Sequence, residues 1–337
     1  MGNKKIRGIA GLSNESFISL FMVVVLFVIF AISSFVVPNF FTGSNVLALL
    51  TNNWYLVVLG IGATFIVMTG NMDMSLGGIV AMAGVLVSFF CQGTDGARVM
   101  DIGLGLPFWA AALLTILCCL VIGAINAFFV ARLKVASLII TLGTASLARG
   151  IAQIVARGAQ RSTNLPDSFG VVGNMYLPET SIKLSVVIMV VFLLATLFLE
   201  KKTVFGRRTY YVGANAEAAH LSGIKTERHL GTLFIINSFF AAVVGIMLAS
   251  EYLAGYSTRG EGFEFDALCI TLLGGTVVSG GSGSVLGAFI GALIFSIVTN
   301  AAGGLLLSPD WTYVLKAVVT FLAIVAQRYA LDKRKKC

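Results

Sequence analysis

The chain has 337 residues, of which 58% are apolar or aromatic and only 11% are charged. A soluble fold carries about 25% charged residues to cover its surface, so a soluble enzyme is excluded. The formal net charge is +8, but a nucleic-acid groove needs basic residues spread over a polar face, which this chain lacks. The composition therefore predicts a polytopic membrane protein of the all-α class.

Apolar runs predict about ten membrane-spanning helices. The first, 17–37, is uncharged, and as a helix of about 31 Å it is long enough to cross the hydrocarbon core of a bilayer. A cleaved signal peptide has a shorter apolar region, so we expect this span to be retained. The other nine are 46–68, 72–91, 107–131, 137–156, 182–199, 230–250, 265–278, 284–306 and 311–327.

Two of these segments predict short or broken helices. The segment 265–278 is short, and only Gly70 separates the second span from the third. Short or glycine-interrupted apolar segments are typical of discontinuous helices in transporters. The segments 75–84 and 284–292 also resemble each other, and an odd number of spans separates them. This pattern favours an inverted repeat, with halves at about 45–160 and 230–327 of a single membrane domain 1–337, and chance similarity is the alternative.

Loop charges predict the orientation. Basic residues concentrate in the cytoplasmic loops of membrane proteins. The segments on the same side as the N-terminus hold most of the basic residues: Lys4, Lys5, Arg7, Arg132, Lys134, Lys201, Lys202, Arg207, Arg208, Lys225, Arg228, Arg328, Lys333, Arg334, Lys335 and Lys336. The other loops hold most of the acidic residues. Both termini are therefore predicted to lie in the cytoplasm.

The longest inward loop, 200–230, contains a pattern typical of a short capped helix. Asn215 suits the N-cap, Glu217 complements the positive end of the helix dipole, and Gly223 fits the left-handed position after the last turn. A two-turn helix has little stability of its own in water, so it needs something to pack against. It either rests on its own helix bundle or docks onto a cytoplasmic partner.

Motifs along the chain resemble one family of transport proteins. Glu217-Ala-Ala followed by Gly223 is similar to the E-A-A-x-x-x-G pattern of ABC-transporter permeases, although the I-x-L-P end of the longer signature is missing. Further similar segments keep the order of the ribose-type branch: 69–77 (TGNMDMSLG), 141–143 with 149–150 (TLG and RG), 205–207 with 214–215, 262–267 (GFEFDA), 273–276 (LGGT) and 279–284 (SGGSGS). The chain thus resembles the permease subunit of a ribose-type importer of monosaccharides over about residues 45–325.

The resemblance implies a multi-pass permease in the bacterial inner membrane that pairs with itself or with a paralogue, surrounded by lipid. A periplasmic sugar-binding protein would deliver the substrate, and a separate cytoplasmic subunit would bind ATP and Mg²⁺. This chain has no G-x-x-x-x-G-K-[ST] motif, so we expect no cofactor in it and no enzymatic activity of its own; its cysteines show no spacing for a metal. The residues expected to dock the ATPase are Asn215, Glu217, Ala218, Ala219, His220 and Gly223.

Seven residues are candidates for the substrate pathway: Asn52, Asn53, Trp54, Asn71, Asp73, Ser75 and Asn126. Asp73 lies at a helix break, where a charge is costly unless it is paired or faces water. It either binds sugar hydroxyls beside Asn71 and Ser75, or caps the third span. Trp54 either joins its neighbouring amides in binding sugar or anchors the helix at the membrane interface. Asn126 either bonds to the ligand or joins two helices.

Asn71, Met72 and Asp73 stand where the family has G-I-D. This departure leaves the identity of the sugar open.

The remaining charges predict ion pairs and an outer docking surface. Arg149 lies inside an apolar span, where we expect it to pair with an acidic group or with carbonyls. Lys316 lies one turn into the last span, and we expect its amine to extend to the membrane surface. The outer acidic residues Glu251, Glu261, Glu264 and Asp266 flank Arg259. Of this group, Arg259, Glu261 and Glu264 are the candidates for docking the binding protein.

Together these features support an ATP-driven importer of a monosaccharide or similar small polyol. The alternative is a secondary transporter driven by an ion gradient, with Asp73 as its protonatable group in a broken-helix fold. A gradient-driven carrier has no need of a capped helix on its cytoplasmic face, so the 200–230 loop favours the importer.

Overall fold

The computed structural model describes residues 14–95, 102–158 and 160–336. Most of this is helix and almost none is strand, which confirms the predicted all-α class. The described part holds one small sheet, in which β1 (Gln160–Arg161) pairs antiparallel with β2 (Gly255–Tyr256). The predicted orientation of the N-terminus rests on Lys4, Lys5 and Arg7, which lie outside the described residues.

Thirteen helices are present in the described ranges, and most match a predicted apolar segment to within a few residues. They are α1 (Asn14–Val36), α2 (Gly43–Met68), α3 (Leu76–Cys91), α4 (Phe108–Asn126), α5 (Ser137–Ala156), α6 (Val171–Asn174), α7 (Leu184–Lys202), α8 (Val204–Ala214), α9 (Ala216–Leu221), α10 (Thr226–Tyr252), α11 (Phe263–Leu273), α12 (Val285–Gly304) and α13 (Pro309–Lys336). A π-helical segment, Ala127–Arg132, continues α4, and a 3₁₀ turn, Asp167–Gly170, precedes α6.

Six described helices are long and apolar enough to cross a membrane, which makes this a multi-pass membrane protein. They are Gly43–Met68, Phe108–Arg132, Ser137–Ala156, Leu184–Lys202, Thr226–Tyr252 and Val285–Gly304. Two more apolar helices are shorter, Leu20–Val36 and Leu76–Cys91. The segment predicted at 265–278 forms a helix of only 11 residues, α11. The total of ten spans and the side of each terminus stay predictions.

The short helix α3 lies at the centre of the bundle. It packs against α10, α5 and α4, and β2 lies along it. Every residue from 76 to 88 is buried. A helix of 16 residues is about 24 Å long and too short to span the bilayer core alone. It is surrounded by protein instead, as the sequence predicts for a broken helix.

The outer helices carry exposed apolar faces. Leu117 on α4, Ile154 on α5, Phe198 on α7 and Phe321 on α13 are all more than half exposed. Contiguous apolar surface of this kind marks contact with a membrane or with another protein. The bundle therefore has a buried centre of α2, α3, α10 and α12, and a rim suited to lipid.

Three chain segments meet at one glycine-rich point, which we name the glycine junction: the end of α2 (Met68 and Gly70), the end of α8 (Gly213) and the loop at 280–281. The Met68 carbonyl accepts a hydrogen bond of 2.9 Å from the Gly281 amide. Gly281 holds a φ of +80°, which L-residues rarely adopt. A Cβ on Gly213 would collide with the same Met68 carbonyl oxygen. Only glycine lets these three backbones come so close.

Two cations inside apolar helices, Arg149 and Lys316, have defined partners. The Arg149 guanidinium donates to the Ser257 carbonyl at 3.2 Å, which confirms the predicted carbonyl pairing. Lys316 forms an ion pair of 2.7 Å with Asp266, and its amine lies 5.5 Å from the centre of the Phe295 ring. The expectation that Lys316 extends to the membrane surface is therefore wrong, because a carboxylate on α11 lies within its reach inside the bundle.

Replacing Gly213 with alanine tests the glycine junction. The added methyl group would meet a backbone carbonyl that cannot rotate away, and overpacking of this kind costs about 1–3 kcal/mol. We expect Gly213→Ala to lower the thermal unfolding midpoint of the detergent-purified chain.

Gly303→Ala is the matched control. Gly303 is also the penultimate residue of its helix, and a Cβ there has nothing within 4 Å. Its midpoint should stay unchanged or rise, because alanine favours the helix. Equal midpoints for Gly213→Ala and Gly303→Ala would show that the close approach at the junction is absent.

Candidate functional site

Asp73 lies in the non-helical segment 69–75 that joins α2 to α3. One carboxylate oxygen accepts hydrogen bonds from the backbone amide and the hydroxyl of Ser75, the first of them 2.9 Å long. The other accepts from the Asn237 side-chain amide on α10 at 2.8 Å. Asp73 is only 7% exposed. The carboxylate is thus fully engaged by the protein, one oxygen with the start of α3 and the other with α10.

The polar contacts continue from Ser75 into α4 and α5. The side-chain amide nitrogen of Asn126 donates to the Ser75 hydroxyl at 3.0 Å. The Thr144 hydroxyl donates to the side-chain oxygen of Asn126 at 2.7 Å. Ser75, Asn126 and Thr144 are all buried. We name Asp73, Ser75, Asn126, Thr144 and Asn237 together the break network. It joins the segment between α2 and α3 to three different helices, α4, α5 and α10.

Backbone donors released at the break also find side-chain partners on α5. The Met72 amide donates to the Ser137 hydroxyl at 3.1 Å, and the Met74 amide donates to the Thr141 hydroxyl at 3.0 Å. A backbone group left unsatisfied in a lipid-like interior costs several kcal/mol. The hydroxyls on α5 therefore replace the helical hydrogen bonds that the backbone of the non-helical segment 69–75 cannot make.

The structure brings together three residues that the sequence offered as candidates, Asp73, Ser75 and Asn126. Their polar atoms bond to protein, a geometry that fits joining helices better than holding a ligand, and Asp73 is not the N-cap of α3, because that position is Ser75. Asn237 and Thr144 were missed. Asn237 is the one amide side chain within α10, and a lone asparagine in an apolar helix is the signal that would have found it.

Asn71 lies apart from the break network. It is partly exposed, and its amide donates to the backbone carbonyl and the hydroxyl of Thr69, both at 3.2 Å. It lines a cavity of about 540 Å³ that also touches the 200–230 loop. Its neighbours in this cavity are Thr69, Val130, Ala131, Lys134, Val212, Ala216, Glu217, His220, Thr226, Glu227 and Leu230. One open space thus joins the helix break to the loop helix.

The three candidates near the start of α2 do not converge. Asn52 is exposed and lines a groove of about 760 Å³ with Tyr176 and Lys183. Asn53 is buried and donates to the Leu49 carbonyl of its own helix at 3.0 Å. Of the three, Asn52 alone faces open space.

Trp54 is buried, and it does not lie at the membrane interface. It is 1% exposed, and its indole N–H lies 3.5 Å from the Glu251 carboxylate. Glu251 forms an ion pair of 2.8 Å with Lys183. The expectation that Trp54 anchors the helix at the interface is therefore wrong, because the ring is buried in the bundle and α10 brings the partly buried Glu251 carboxylate to it.

The loop after α10 is only partly a free charged surface. The Arg259 guanidinium lies over the Tyr252 ring at 4.1 Å from its centre, and Glu261 is exposed. Glu264 faces inward instead, with one carboxylate oxygen buried against Gly77 in the first turn of α3. Glu251 and Asp266 are engaged in their ion pairs. The expected acidic cluster around Arg259 is therefore dispersed, and Glu261 remains on the surface.

The loop helix α9 has the predicted caps. The Asn215 side chain accepts from the Ala218 amide at 2.9 Å. Gly223 has a φ of +85°, its amide donates to the His220 carbonyl, and the Ile224 amide donates to the Ala219 carbonyl. This pair of bonds is the Schellman arrangement that ends a helix at glycine. The capping residues predicted at both ends are confirmed.

Almost the whole of α9 faces away from the bundle. Ala219 is its one buried residue, while Glu217, Ala218 and His220 are exposed. Leu221 is 82% exposed. Leu221 therefore does not help α9 to pack on its own bundle, and exposed apolar surface marks contact with another protein or with a membrane.

Residues 45–324 match the family model described as "Branched-chain amino acid transport system / permease component". The match covers most of the chain. The chain belongs to this permease family.

Relatives of this permease are named as ribose or arabinose permeases. It is 29% identical over 314 residues to the ribose import permease protein of Haemophilus influenzae, which covers 92% of this chain and 93% of the relative. It is 32% identical over 306 residues to the Bacillus subtilis protein of the same name, with 90% of each chain covered. The L-arabinose ABC transporter permease protein of Azospirillum brasilense is 30% identical over 315 residues, 93% of this chain and 88% of the relative. The resemblance to ribose-type permeases is therefore confirmed, and these relatives are transport proteins.

Removing the Asn126 side chain tests whether the break network is structural. Asn126→Ala leaves the buried Thr144 and Ser75 hydroxyls short of a partner, which costs about 1–3 kcal/mol. We expect a lower thermal unfolding midpoint of the permease in detergent without any substrate.

Asn52→Ala is the matched control, because Asn52 is exposed, and its midpoint should not change. If Asn126→Ala keeps the wild-type midpoint and loses transport alone, Asn126 acts on the substrate and the structural account of the break network fails.

Proposed function

We propose that this permease is the membrane-spanning subunit of an ATP-driven importer that passes a monosaccharide or similar small polyol into the cytoplasm. The observation that carries this is the exposed, capped helix α9 on a chain whose relatives are named as ribose and arabinose permeases. A periplasmic binding protein delivers the sugar, and a second permease copy or a paralogue completes the pathway. The complex lies in the bacterial inner membrane with both termini in the cytoplasm.

The ATP-binding subunit docks on α9. Asn215 and Gly223 fix the two ends of the helix, Ala219 seats it on the bundle, and Glu217, Ala218 and His220 face the partner. Leu221 supplies the apolar anchor. ATP and Mg²⁺ belong to the partner subunit, because this chain has no phosphate-binding loop in its sequence.

Movement of α9 reaches the helix breaks through α8. At its end, α8 closes the glycine junction against Met68 and the loop at 280–281. In its middle, the Tyr210 hydroxyl lies 2.8 Å from both the Glu200 carboxylate and the Gly283 carbonyl. Glu200 in turn accepts from the Val285 amide, the first of α12, at 3.2 Å. A shift of α8 therefore moves α2 and α12 together, which is what alternating access requires.

The sugar path runs past the break network. Asn52 lies in the outer groove and Asn71 in the inner cavity, so each offers amide groups to sugar hydroxyls at one end. Asp73, Ser75 and Asn126 hold the wall between the two. On the outer surface, Arg259 and Glu261 contact the binding protein, while the inward-facing Glu264 positions that loop against α3.

Charging the exposed leucine of α9 tests the docking. Leu221→Asp should abolish binding of the cognate ATP-binding subunit, because a carboxylate would be buried without a partner at the interface, which costs several kcal/mol. The measurement is co-purification of the two subunits in detergent. The fold of the permease should be unaffected, since Leu221 is exposed.

Leu306→Asp is the matched control. Leu306 is 92% exposed and follows the far end of α12, about 30 Å from Val285. It should retain full binding. Binding that survives Leu221→Asp would remove α9 as the docking element.

The energy source separates this proposal from a gradient-driven carrier. We expect sugar uptake into proteoliposomes to need ATP, the ATP-binding subunit and the binding protein, and to persist when ionophores collapse ion gradients. Uptake by the permease alone that stops with a protonophore would instead assign the buried Asp73 a proton-carrying role.

A further inference from the structure

A second cavity at the loop end of the bundle is lined by basic side chains. It has a volume of about 420 Å³ and lies between α8, the α9–α10 link and the first turns of α10. Its lining residues are Phe205, Arg208, Gly223, Ile224, Lys225, Arg228, His229 and Thr232. We name it the basic pocket.

The cations of the basic pocket have no acidic partner. Arg208, Lys225 and Arg228 are exposed, and none of them forms an ion pair with a described residue. No acidic residue is among the described residues that line it. The nearest acid in sequence, Glu227, lines the neighbouring cavity of α9 instead. Three cations around one concave space form a site for an anion with several oxygens, such as a phosphate group.

The floor of the basic pocket is rigid. The His229 ring nitrogen Nε2 lies 2.9 Å from the Thr209 hydroxyl, and the ring packs on Phe205 with centres 4.6 Å apart. His229 is buried. The Arg208 and Arg228 side chains therefore project from a fixed base formed by α8 and α10.

An apolar stripe leads away from the basic pocket along α10. Arg228, Thr232, Ile235 and Phe239 follow each other at spacings of four, three and four, so they share one face of the helix. Thr232, Ile235 and Phe239 are all exposed. The stripe runs into the part of the helix that is long and apolar enough to cross a membrane. A basic pocket that opens onto an exposed apolar stripe matches a molecule with a phosphate head and a hydrocarbon tail.

We propose that the basic pocket binds the headgroup of an anionic phospholipid of the cytoplasmic leaflet, with an acyl chain along the Thr232, Ile235 and Phe239 stripe. Basic pockets at the cytoplasmic ends of membrane helices are suited to such headgroups. A free phosphate ion would satisfy the three cations but would leave the stripe without a function. The lipid accounts for both features.

The bound headgroup touches the coupling apparatus. Gly223, Ile224 and Lys225 form the link between α9 and α10 and also line the basic pocket. A lipid there holds the end of α9 against α10, so the lipid composition of the inner leaflet sets how firmly the docking helix is positioned. The location in the inner leaflet rests on the orientation given under Proposed function; the binding itself does not.

The test measures lipid association with the full-length permease alone, without its ATPase. Spin-labelled phosphatidylglycerol and spin-labelled phosphatidylcholine are compared in phosphatidylcholine vesicles, and the motionally restricted fraction of each label gives its relative association. The variant Arg208→Gln/Lys225→Gln/Arg228→Gln should lose the preference for phosphatidylglycerol by about fivefold or more, since each basic residue near the surface contributes about that factor.

The matched control is Lys201→Gln/Lys202→Gln/Arg207→Gln. It removes the same charge from exposed residues of the same loop that do not line the basic pocket, and it should keep most of the preference. An equal loss in both variants, or no loss in either, overturns the proposal. Shortening the stripe with Ile235→Ala/Phe239→Ala should weaken association of both labels at this site.

Two further arms exclude other occupants. Inorganic phosphate is added in increasing concentration to the permease in vesicles with the labelled lipid. A chloride salt keeps the ionic strength constant. Displacement of the lipid at millimolar phosphate would reassign the basic pocket to a free anion. If the triple variant keeps its lipid preference and loses the ATP-binding subunit, the basic pocket receives acidic side chains of that partner, and the lipid proposal falls. If the permease transports without ATP but keeps the lipid preference, only the proposed function fails and the lipid proposal stands.

Discussion

The structure depends on how the backbone groups at the break between α2 and α3 are satisfied inside an apolar bundle. A non-helical segment buried among helices has backbone donors and acceptors that make no helical hydrogen bonds, and lipid offers them no partner. Hydroxyls on α5 and the Asp73 carboxylate accept hydrogen bonds from these backbone amides. Side-chain amides on α4 and α10 then bond to the Ser75 hydroxyl and to the Asp73 carboxylate. Because the partners come from three helices, the same bonds that permit the break also fix the packing around α3.

This constraint explains why the mostly apolar centre of the protein also holds a few polar side chains that bond to the break. Asp73 is tolerated because both of its oxygens accept hydrogen bonds. The glycine junction solves a related problem by a different route. The Gly281 amide bonds to the Met68 carbonyl, and Gly213 at the end of α8 leaves no room for a side chain beside that carbonyl. In the proposed function, these contacts make α8 the element that transmits movement of α9 to the ends of α2 and α12.

Local features of the sequence predicted local structure well. The apolar runs located most of the helices, and Asn215 and Gly223 located the ends of α9, because capping depends on a few neighbouring residues. Contacts between distant segments were not predictable. Nothing near Lys316 indicates Asp266, fifty residues away, and nothing near Trp54 indicates the carboxylate of Glu251. The sequence identified Asp73 as the unusual residue, but only the packing of α10 supplied its partner Asn237.

The most direct test of the account is whether ATP binding by the partner subunit docked on α9 changes the cavity at the break that Asn71 lines. The rate at which an impermeant maleimide modifies Asn71→Cys is measured in the assembled transporter, in a background without native cysteines, with and without ATP under non-hydrolysing conditions. The account predicts a change of several-fold between the two states that Gly213→Ala suppresses and Gly303→Ala preserves. The same modification rate in both nucleotide states, in a transporter that still imports sugar, would contradict it.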